Sequence, residues 1–359
     1  MPSSTSSFER CLTKQPWALI FGAALVVLAC FAVGMELQLA RMGYQPKVSI
    51  GKDHWVAERA KANELGSRAL VIVGASRIQL GLDLNVLRAN TGLEPVQLAI
   101  DASSPHPILE GLAKDPAFKG TVIVDYYAHT IGSDGGPGTA LQKLFEEETA
   151  RPYSFPTGSA IEKYLTRVLH ENLRVYSDGA SPWLSLMYRI NAKRPQNQYL
   201  ITMADRSRLA DYSKVEMPTF YYKRVARTLG IQIGTGDENI EPILRQKIKE
   251  QVPLADSGAW QHKVSKTRKL VEAIRAKGGR VLFLGMPSSG MVREIEERRY
   301  PKTQYWDYFE QNIGAPALHS NYTQILQDFA CPDGSHLDMR DRAAFTENLA
   351  RILKANRFL

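Results

Sequence analysis

The stretch Ala69-Leu70-Val71-Ile72-Val73-Gly74-Ala75-Ser76-Arg77 decides how this 359-residue chain is read. Five consecutive apolar residues, three of them β-branched, lie between Gly66 and Gly74. A run this short, with this composition and these boundaries, reads as a buried strand. Outward from it, Asp83 is placed to cap a helix through Leu84, Leu87 and Arg88 that Gly92 stops. A second strand fits Val96 to Ile100 and a third fits Thr121 to Tyr126. Strand and helix alternate, which predicts a parallel sheet with crossover helices, hence an α/β protein.

The same pattern returns late in the chain. A helix with Val264, Leu270, Val271 and Ile274 on one side ends at Gly278-Gly279, and the strand Arg280 to Leu284 follows. The last helix carries Phe345, Leu349, Ile352 and Leu353 at i, i+4, i+7 and i+8, an apolar face, with Lys354 and Arg357 in its final turn. Between about Ile131 and Gln261 the pattern changes. It opens with Gly132-Ser133-Asp134-Gly135-Gly136-Pro137-Gly138, which lacks the Gly-Lys-Ser/Thr ending of a phosphate loop. Helical periodicity then dominates, as in Ile161, Leu165, Val168 and Leu169. The simplest account is a sheet core interrupted by a mostly helical insertion.

At the amino end, Trp17 to Met35 contains no charged residue. At ~1.5 Å per residue this run covers about 28 Å, close to the hydrocarbon thickness of a bilayer. Arg10 and Lys14 precede it, Glu36, Arg41 and Lys47 follow it, and Trp17 sits where an interfacial aromatic belongs. A cleaved signal peptide would have a shorter apolar region. A lipidation box at Val27-Leu28-Ala29-Cys30 is poorly served by Leu28, and the apolar run continues past it. A single uncleaved span is the preferred reading. The flanking positive charges are balanced, so they do not set its orientation. The resulting division is tail 1–16, span 17–35, connector 36–66, core 67–130, helical insertion 131–278 and core 279–359.

Composition bounds the rest. With 44% apolar and 23% charged residues, disordered and low-complexity classes are excluded. Forty-five Lys and Arg against 37 Asp and Glu give a net charge of +8 and an isoelectric point near 9.2. The charges are interleaved, as in Arg293, Glu294, Glu296, Glu297, Arg298 and Arg299, which reads as a solvated helix face rather than a nucleic-acid footprint. An anionic substrate or a membrane surface stays open. Of the three cysteines, Cys11 is in the tail and Cys30 in the span, leaving Cys331 without an internal partner. No Cys-x-x-Cys or His pair at zinc spacing occurs, so neither metal nor cofactor is expected.

Two short motifs carry possible chemistry. Gly74-Ala75-Ser76-Arg77 stands at the carboxyl end of the first strand, where ligands bind in open α/β sheets. The bland alternative is an ordinary turn in which Ser76 caps backbone amides. Asp333-Gly334-Ser335-His336-Leu337 precedes the last helix. On a tight turn the Asp333 carboxylate can hold His336 by its Nδ1 proton and leave Nε2 as a base. The bland alternative is a helix cap by Asp333 or Asp338. Together the motifs supply a nucleophile, a base and an orienting acid, because a serine hydroxyl is a poor nucleophile until a base takes its proton.

Ser76 after the first strand, with Asp333 and His336 before the last helix, resembles the SGNH (GDSL-type) hydrolase superfamily. It resembles in particular the membrane-anchored branch that acts in teichoic acid D-alanylation and exopolysaccharide O-acetylation. The matching residues are Gly74, Ser76, Arg77, Asp333, His336 and Leu337. The resemblance covers residues 67–130 and 279–359. It implies a flavodoxin-like three-layer α/β/α fold with Ser76, Asp333 and His336 as catalytic triad. It also implies a single-pass anchor in the cytoplasmic membrane with the catalytic domain on the periplasmic, extracytoplasmic side. The substrate would be a cell-surface polysaccharide or another acylated polymer, and a multispanning membrane-bound O-acyltransferase would be the partner.

The sequence departs from that family at two blocks. The usual glycine oxyanion donor is replaced by Asp101-Ala102-Ser103-Ser104-Pro105, where an amide of Ala102 or Ser103 would serve. The usual asparagine after the third strand is absent from Asp125-Tyr126-Tyr127-Ala128-His129, so Tyr126, Tyr127 or His129 would substitute, or the oxyanion hole is weak. The bland reading has His129 closing a core strand. Arg77 is either an outward charge or an anchor for an anionic substrate. Ser288, in Met286-Pro287-Ser288-Ser289-Gly290, lies on a loop of the same rim, a further substrate-binding candidate with His129. Tyr221-Tyr222-Lys223-Arg224 reads as a sugar or phosphate contact or as an exposed amphipathic face, and Asn321-Tyr322-Thr323 matches a glycosylation sequon. Two functional readings follow: a serine acyltransferase or esterase, and a degenerate relative that binds polymer without turnover. A Ser76 Oγ to His336 Nε2 separation within about 3.2 Å separates them.

Overall fold

The structure is a computed structural model that describes residues 16–358 apart from 49–50, 151–157, 178–179, 182, 184–186, 188–189, 192–197 and 233–239. The amino-terminal tail with Arg10, Cys11 and Lys14 lies outside the described residues. The core is a five-stranded parallel sheet: β1 (Ala69–Val73), β2 (Glu94–Gln97), β3 (Thr121–Asp125), β6 (Arg280–Gly285) and β7 (Ala317–His319). Its spatial order is β2-β1-β3-β6-β7. Val71 faces Val96 on one side and Val122 on the other, and Ile123 faces Leu282. Beyond β2 the ladder continues, with the Leu98 and Ile100 amides donating to the Ile72 and Gly74 carbonyls. The chain leaves β1 in one direction for β2 and returns on its other side for β3, which makes the β1–β3 boundary the switch point of the sheet.

Each strand of the centre buries both of its faces. Val71 and Val73 pack into one layer with Trp55, Leu109, Val271 and Phe309. Leu70 and Ile72 pack into the other with Ile78, Leu87, Phe345 and Leu349. Helices therefore cover both sides of the sheet. The expected helix after Asp83 spans Leu84–Thr91, with the Asp83 carboxylate accepting from the Asn85 and Val86 amides and Gly92 in the left-handed conformation at its end. The last helix spans Arg342–Ala355 and buries Phe345, Leu349 and Leu353.

Three features go beyond the sequence reading. The helix Trp17–Arg41 is long and apolar enough to cross a membrane, but it runs six residues past Met35. Within the connector, Lys52–Leu65 is a helix with Trp55 fully buried and its indole Nε1 donating to the Leu98 carbonyl at 3.0 Å. Buried Arg59 in the same helix donates to the Asp115 carboxylate and lies over the Phe145 ring. The insertion contains, besides helices, a two-stranded antiparallel sheet of β4 (Leu200–Thr202) and β5 (Arg208–Ala210). Strands of three residues, like β7, carry too little periodicity to read from sequence.

That small sheet docks on the carboxyl end of the core. Arg206 is buried with φ +63° and donates to the Gln97 and Ala99 carbonyls. The Ala210 carbonyl accepts from the Met339 amide, and the Asp338 carboxylate accepts from the Tyr212 amide. Replacing Trp55 by alanine removes a buried aromatic and an indole hydrogen bond. The expected loss is about 3–5 kcal/mol in denaturant unfolding. A loss under about 1 kcal/mol would show that this helix contributes little to the stability of the core.

Candidate active site

Ser76 leaves the sheet because of the glycine two residues before it. Gly74 has φ +150°, and a Cβ there would stand 2.2 Å from the Asp125 Cβ, so only glycine lets β1 pass this close to the end of β3. Ala75 stays extended and Ser76 opens the short helix Ser76–Gly81. The other half of the site is a turn with Gly334 at φ +83°, where a Cβ would meet Val292 Cγ2 at 2.4 Å. This turn folds Asp333 and His336 onto one side.

The two halves meet across 260 residues of chain. His336 Nε2 lies 2.8 Å from Ser76 Oγ, and His336 Nδ1 lies 2.8 Å from Asp333 Oδ2. An ionised carboxylate can only accept, so Nδ1 carries the proton and Nε2 is left to accept from the serine hydroxyl. The other carboxylate oxygen, Asp333 Oδ1, accepts from the amides of Ser335 and His336 at 2.9 and 2.8 Å. Arg224 Nε, from the insertion helix Thr219–Leu229, lies 3.2 Å from Asp333 Oδ2.

The electrostatics follow from burial and these partners. Burial alone would raise the Asp333 pKa, but the His336 hydrogen bond and the charges of His336 and Arg224 hold it well below the usual carboxylate range. Burial lowers the His336 pKa below the ordinary imidazole value of 6.5, against the stabilising Asp333 bond, and the Arg224 and Arg77 charges lower it further. This favours the neutral ring, the state in which Nε2 can accept a proton. The Tyr212 phenol is raised by burial and then by the adjacent Asp333 charge.

The candidates around the triad have distinct placements. Arg77 is not an outward charge: its guanidinium pairs with Glu296, stacks 4.0 Å over the Tyr127 ring and lies 3.4 Å from Ser335 Oγ. Ala102 takes φ +54°, the left-handed conformation that glycine favours, and its amide has no acceptor among the described residues. The Ser103 amide donates to the Ile100 carbonyl and its hydroxyl accepts from the Gly138 amide, so both groups of Ser103 are already engaged. Tyr126 donates its amide to Leu284 and packs its ring against Trp306 and Phe309. His129 closes no core strand; it is exposed, with Nδ1 3.2 Å from the Tyr300 hydroxyl. Ser288 is buried and held through both its amide and its hydroxyl by Asn321, whose side chain is buried in that contact.

A cleft of about 40 Å³ adjoins Arg77, with Tyr127, Glu296, Tyr300, Trp306 and Tyr322 among its walls. At the end of the third strand, Asp125 is buried. Its Oδ2 accepts from the Ala75 amide at 3.5 Å and its Oδ1 has no partner among the described residues. Burial pushes its pKa up to about 7, against the opposing effects of Arg77 and the Ala75 amide. Buried Cys331 donates its thiol to the Pro287 carbonyl, and burial pushes its pKa up to about 12. Among the described residues no group of three His, Cys, Asp or Glu side chains is placed to hold a metal ion. No protein-family model matches the chain, and no curated protein or solved structure matches it.

Sequence reasoning missed Arg224 and Glu296 as partners of the site. Arg224 lies in a run that looks like any amphipathic face, and Glu296 in an interleaved charge run. Nothing local links either to the triad. Replacing Arg224 by glutamine removes a cation that disfavours the imidazolium, so the His336 titration midpoint, followed by imidazole nitrogen NMR, moves to higher pH. An unmoved midpoint would place Arg224 outside the electrostatics of the pair. Asp125→Asn tests the buried carboxyl. The folded protein keeps this proton until about pH 7 while the unfolded chain releases it near 3.8, so ionisation erodes stability as pH rises through that window. The variant is expected to gain stability relative to the parent between pH 4 and 7 and to hold that gain above pH 7. A pH-independent difference in unfolding free energy contradicts this.

Proposed function

We propose that the protein is a membrane-anchored serine acyltransferase or esterase acting on O-acyl groups of a cell-surface polysaccharide or related polymer. The observation that carries this reading is the continuous Ser76–His336–Asp333 hydrogen-bond chain at the carboxyl edge of a parallel sheet. The 2.8 Å Ser76–His336 separation favours turnover over polymer binding alone.

In this mechanism Ser76 Oγ attacks the acyl carbonyl of an ester donor while His336 Nε2 takes the hydroxyl proton. The negative charge that develops on the carbonyl oxygen is met by backbone amides, with those of Ser76, at the start of its helix, and Ala102 as the donors. Collapse of the intermediate expels the donor alcohol, which receives the proton from His336. An acceptor hydroxyl, or water, then loses its proton to His336 and attacks the acyl-Ser76 ester, and the proton returns to Ser76. Asp333 stays ionised throughout and stabilises the imidazolium.

The wider reading draws on the resemblance. The order β2-β1-β3-β6-β7 supports a flavodoxin-like three-layer sheet of the SGNH kind, with the nucleophile at its switch point. The Trp17–Arg41 helix supports a single-pass anchor, and the resemblance puts that anchor in the cytoplasmic membrane with the domain on the extracytoplasmic side. A membrane-bound O-acyltransferase is the partner that would supply acyl groups.

A fluorophosphonate probe, which traps activated serines, tests the mechanism. The wild type is expected to label covalently at Ser76, with labelling abolished in Ser76→Ala and reduced by about 10⁴-fold in Asp333→Asn. Labelling that persists in Ser76→Ala, or an unreactive wild type, overturns it. The labelling rate should fall as pH drops through a midpoint below 6.5, where His336 becomes protonated.

A further inference from the structure

Away from the Ser76 site, the helix Gly158–Asn172 carries an apolar face that no described part of the chain covers. At 100° per residue, Ile161, Tyr164, Leu165, Val168 and Leu169 fall within about 140° of its circumference. Four of them are markedly exposed: Ile161 by 55%, Tyr164 by 58%, Leu165 by 53% and Leu169 by 44%. Thr166, Arg167 and His170 occupy the other side. A face this apolar and this open marks an interaction surface.

The chain ties that helix to the end of the apolar amino-terminal span. Glu36 is the first charged residue after Met35. Its carboxylate accepts from the amides of Arg174 at 2.9 Å and Val175 at 3.0 Å, just past the helix end at Asn172. Arg174 Nε donates to the Tyr44 carbonyl at 3.1 Å, and the Ser177 hydroxyl donates to Gln45. Tyr176 stacks on His170 at 4.3 Å, which joins this clamp to the last turn of the helix. The helix end is thereby held at the level where the apolar run gives way to charge. Tyr164, Tyr176 and Trp183 are exposed aromatics of the kind that populate the membrane–water boundary, and Arg167 lies against the Tyr164 ring.

We propose that the Gly158–Asn172 helix lies on the lipid bilayer, with Ile161, Leu165 and Leu169 in the boundary between headgroups and acyl chains. It forms a second membrane contact that fixes the tilt of the Ser76 domain over the surface. The proposal rests on the reading that Trp17–Arg41 spans a membrane, and it is independent of the chemistry at Ser76.

The test uses the full chain in nanodiscs of phosphatidylcholine and phosphatidylglycerol, with Cys11 and Cys30 replaced by serine and Cys331 left buried. An environment-sensitive fluorophore is attached in turn through Leu165→Cys, Thr166→Cys and Leu25→Cys. Doxyl-labelled lipids are expected to quench the probes at 165 and 25 at least twofold more than the probe at 166, and aqueous iodide to quench the probe at 166 most. If 25 responds to lipid while 165 behaves like 166, the helix stands off the bilayer, and its face is left for a protein partner; the proposal then fails while the span survives. A probe at 25 that lipid does not quench overturns the span and the proposal with it.

Discussion

Asp333 is a carboxylate taken almost completely out of water, and an unpaired charge in that position would cost several kcal/mol. Everything around the site answers that constraint. Two amides of its own turn saturate one oxygen, and His336 and Arg224 meet the other. With its acceptor capacity filled, Asp333 stays ionised and can hold the His336 ring in one orientation. That orientation aims Nε2 at Ser76, so the geometry at Ser76 depends on the solvation of a residue that never reaches it directly.

The same constraint explains why the insertion cannot be peripheral. Arg224 comes from its Thr219–Leu229 helix, and that helix is fixed by Tyr221, whose hydroxyl accepts from the Met291 amide at 2.6 Å. The small β4–β5 sheet clamps the chain after His336 through Ala210 and Tyr212, and clamps the end of β2 through Arg206. The segment that interrupts the sheet in sequence thus completes its carboxyl edge in space. The segment that follows Met35 also tightens the assembly: Trp55 and Arg59 bury their side chains, and Glu36 binds the Arg174 turn. A domain joined to an apolar helix by this many hydrogen bonds is held in a defined attitude to it.

Much of this was legible in the chain because it is written in local patterns. The burial of β1, the Asp83 cap, the Gly92 stop and the apolar face of the last helix all follow from side chains within one element. The turns that carry Ser76, Asp333 and His336 were legible because each contains a glycine that its backbone requires. The three-residue strands, the packing of Lys52–Leu65 and the fate of Ser103 were not, because each depends on a neighbour distant in sequence.

The sequence by itself determined the alternation of strand and helix, the apolar run at the amino end and the two glycine turns that carry Ser76, Asp333 and His336, since periodicity and turn chemistry act over a few residues. Only the tertiary structure decided the rest. It brought Ser76 within 2.8 Å of His336, turned Arg77 from a free cation into the partner of Glu296, and set Arg224 against Asp333. Buried charges must find partners wherever the fold offers them, and no spacing along the chain records where that will be.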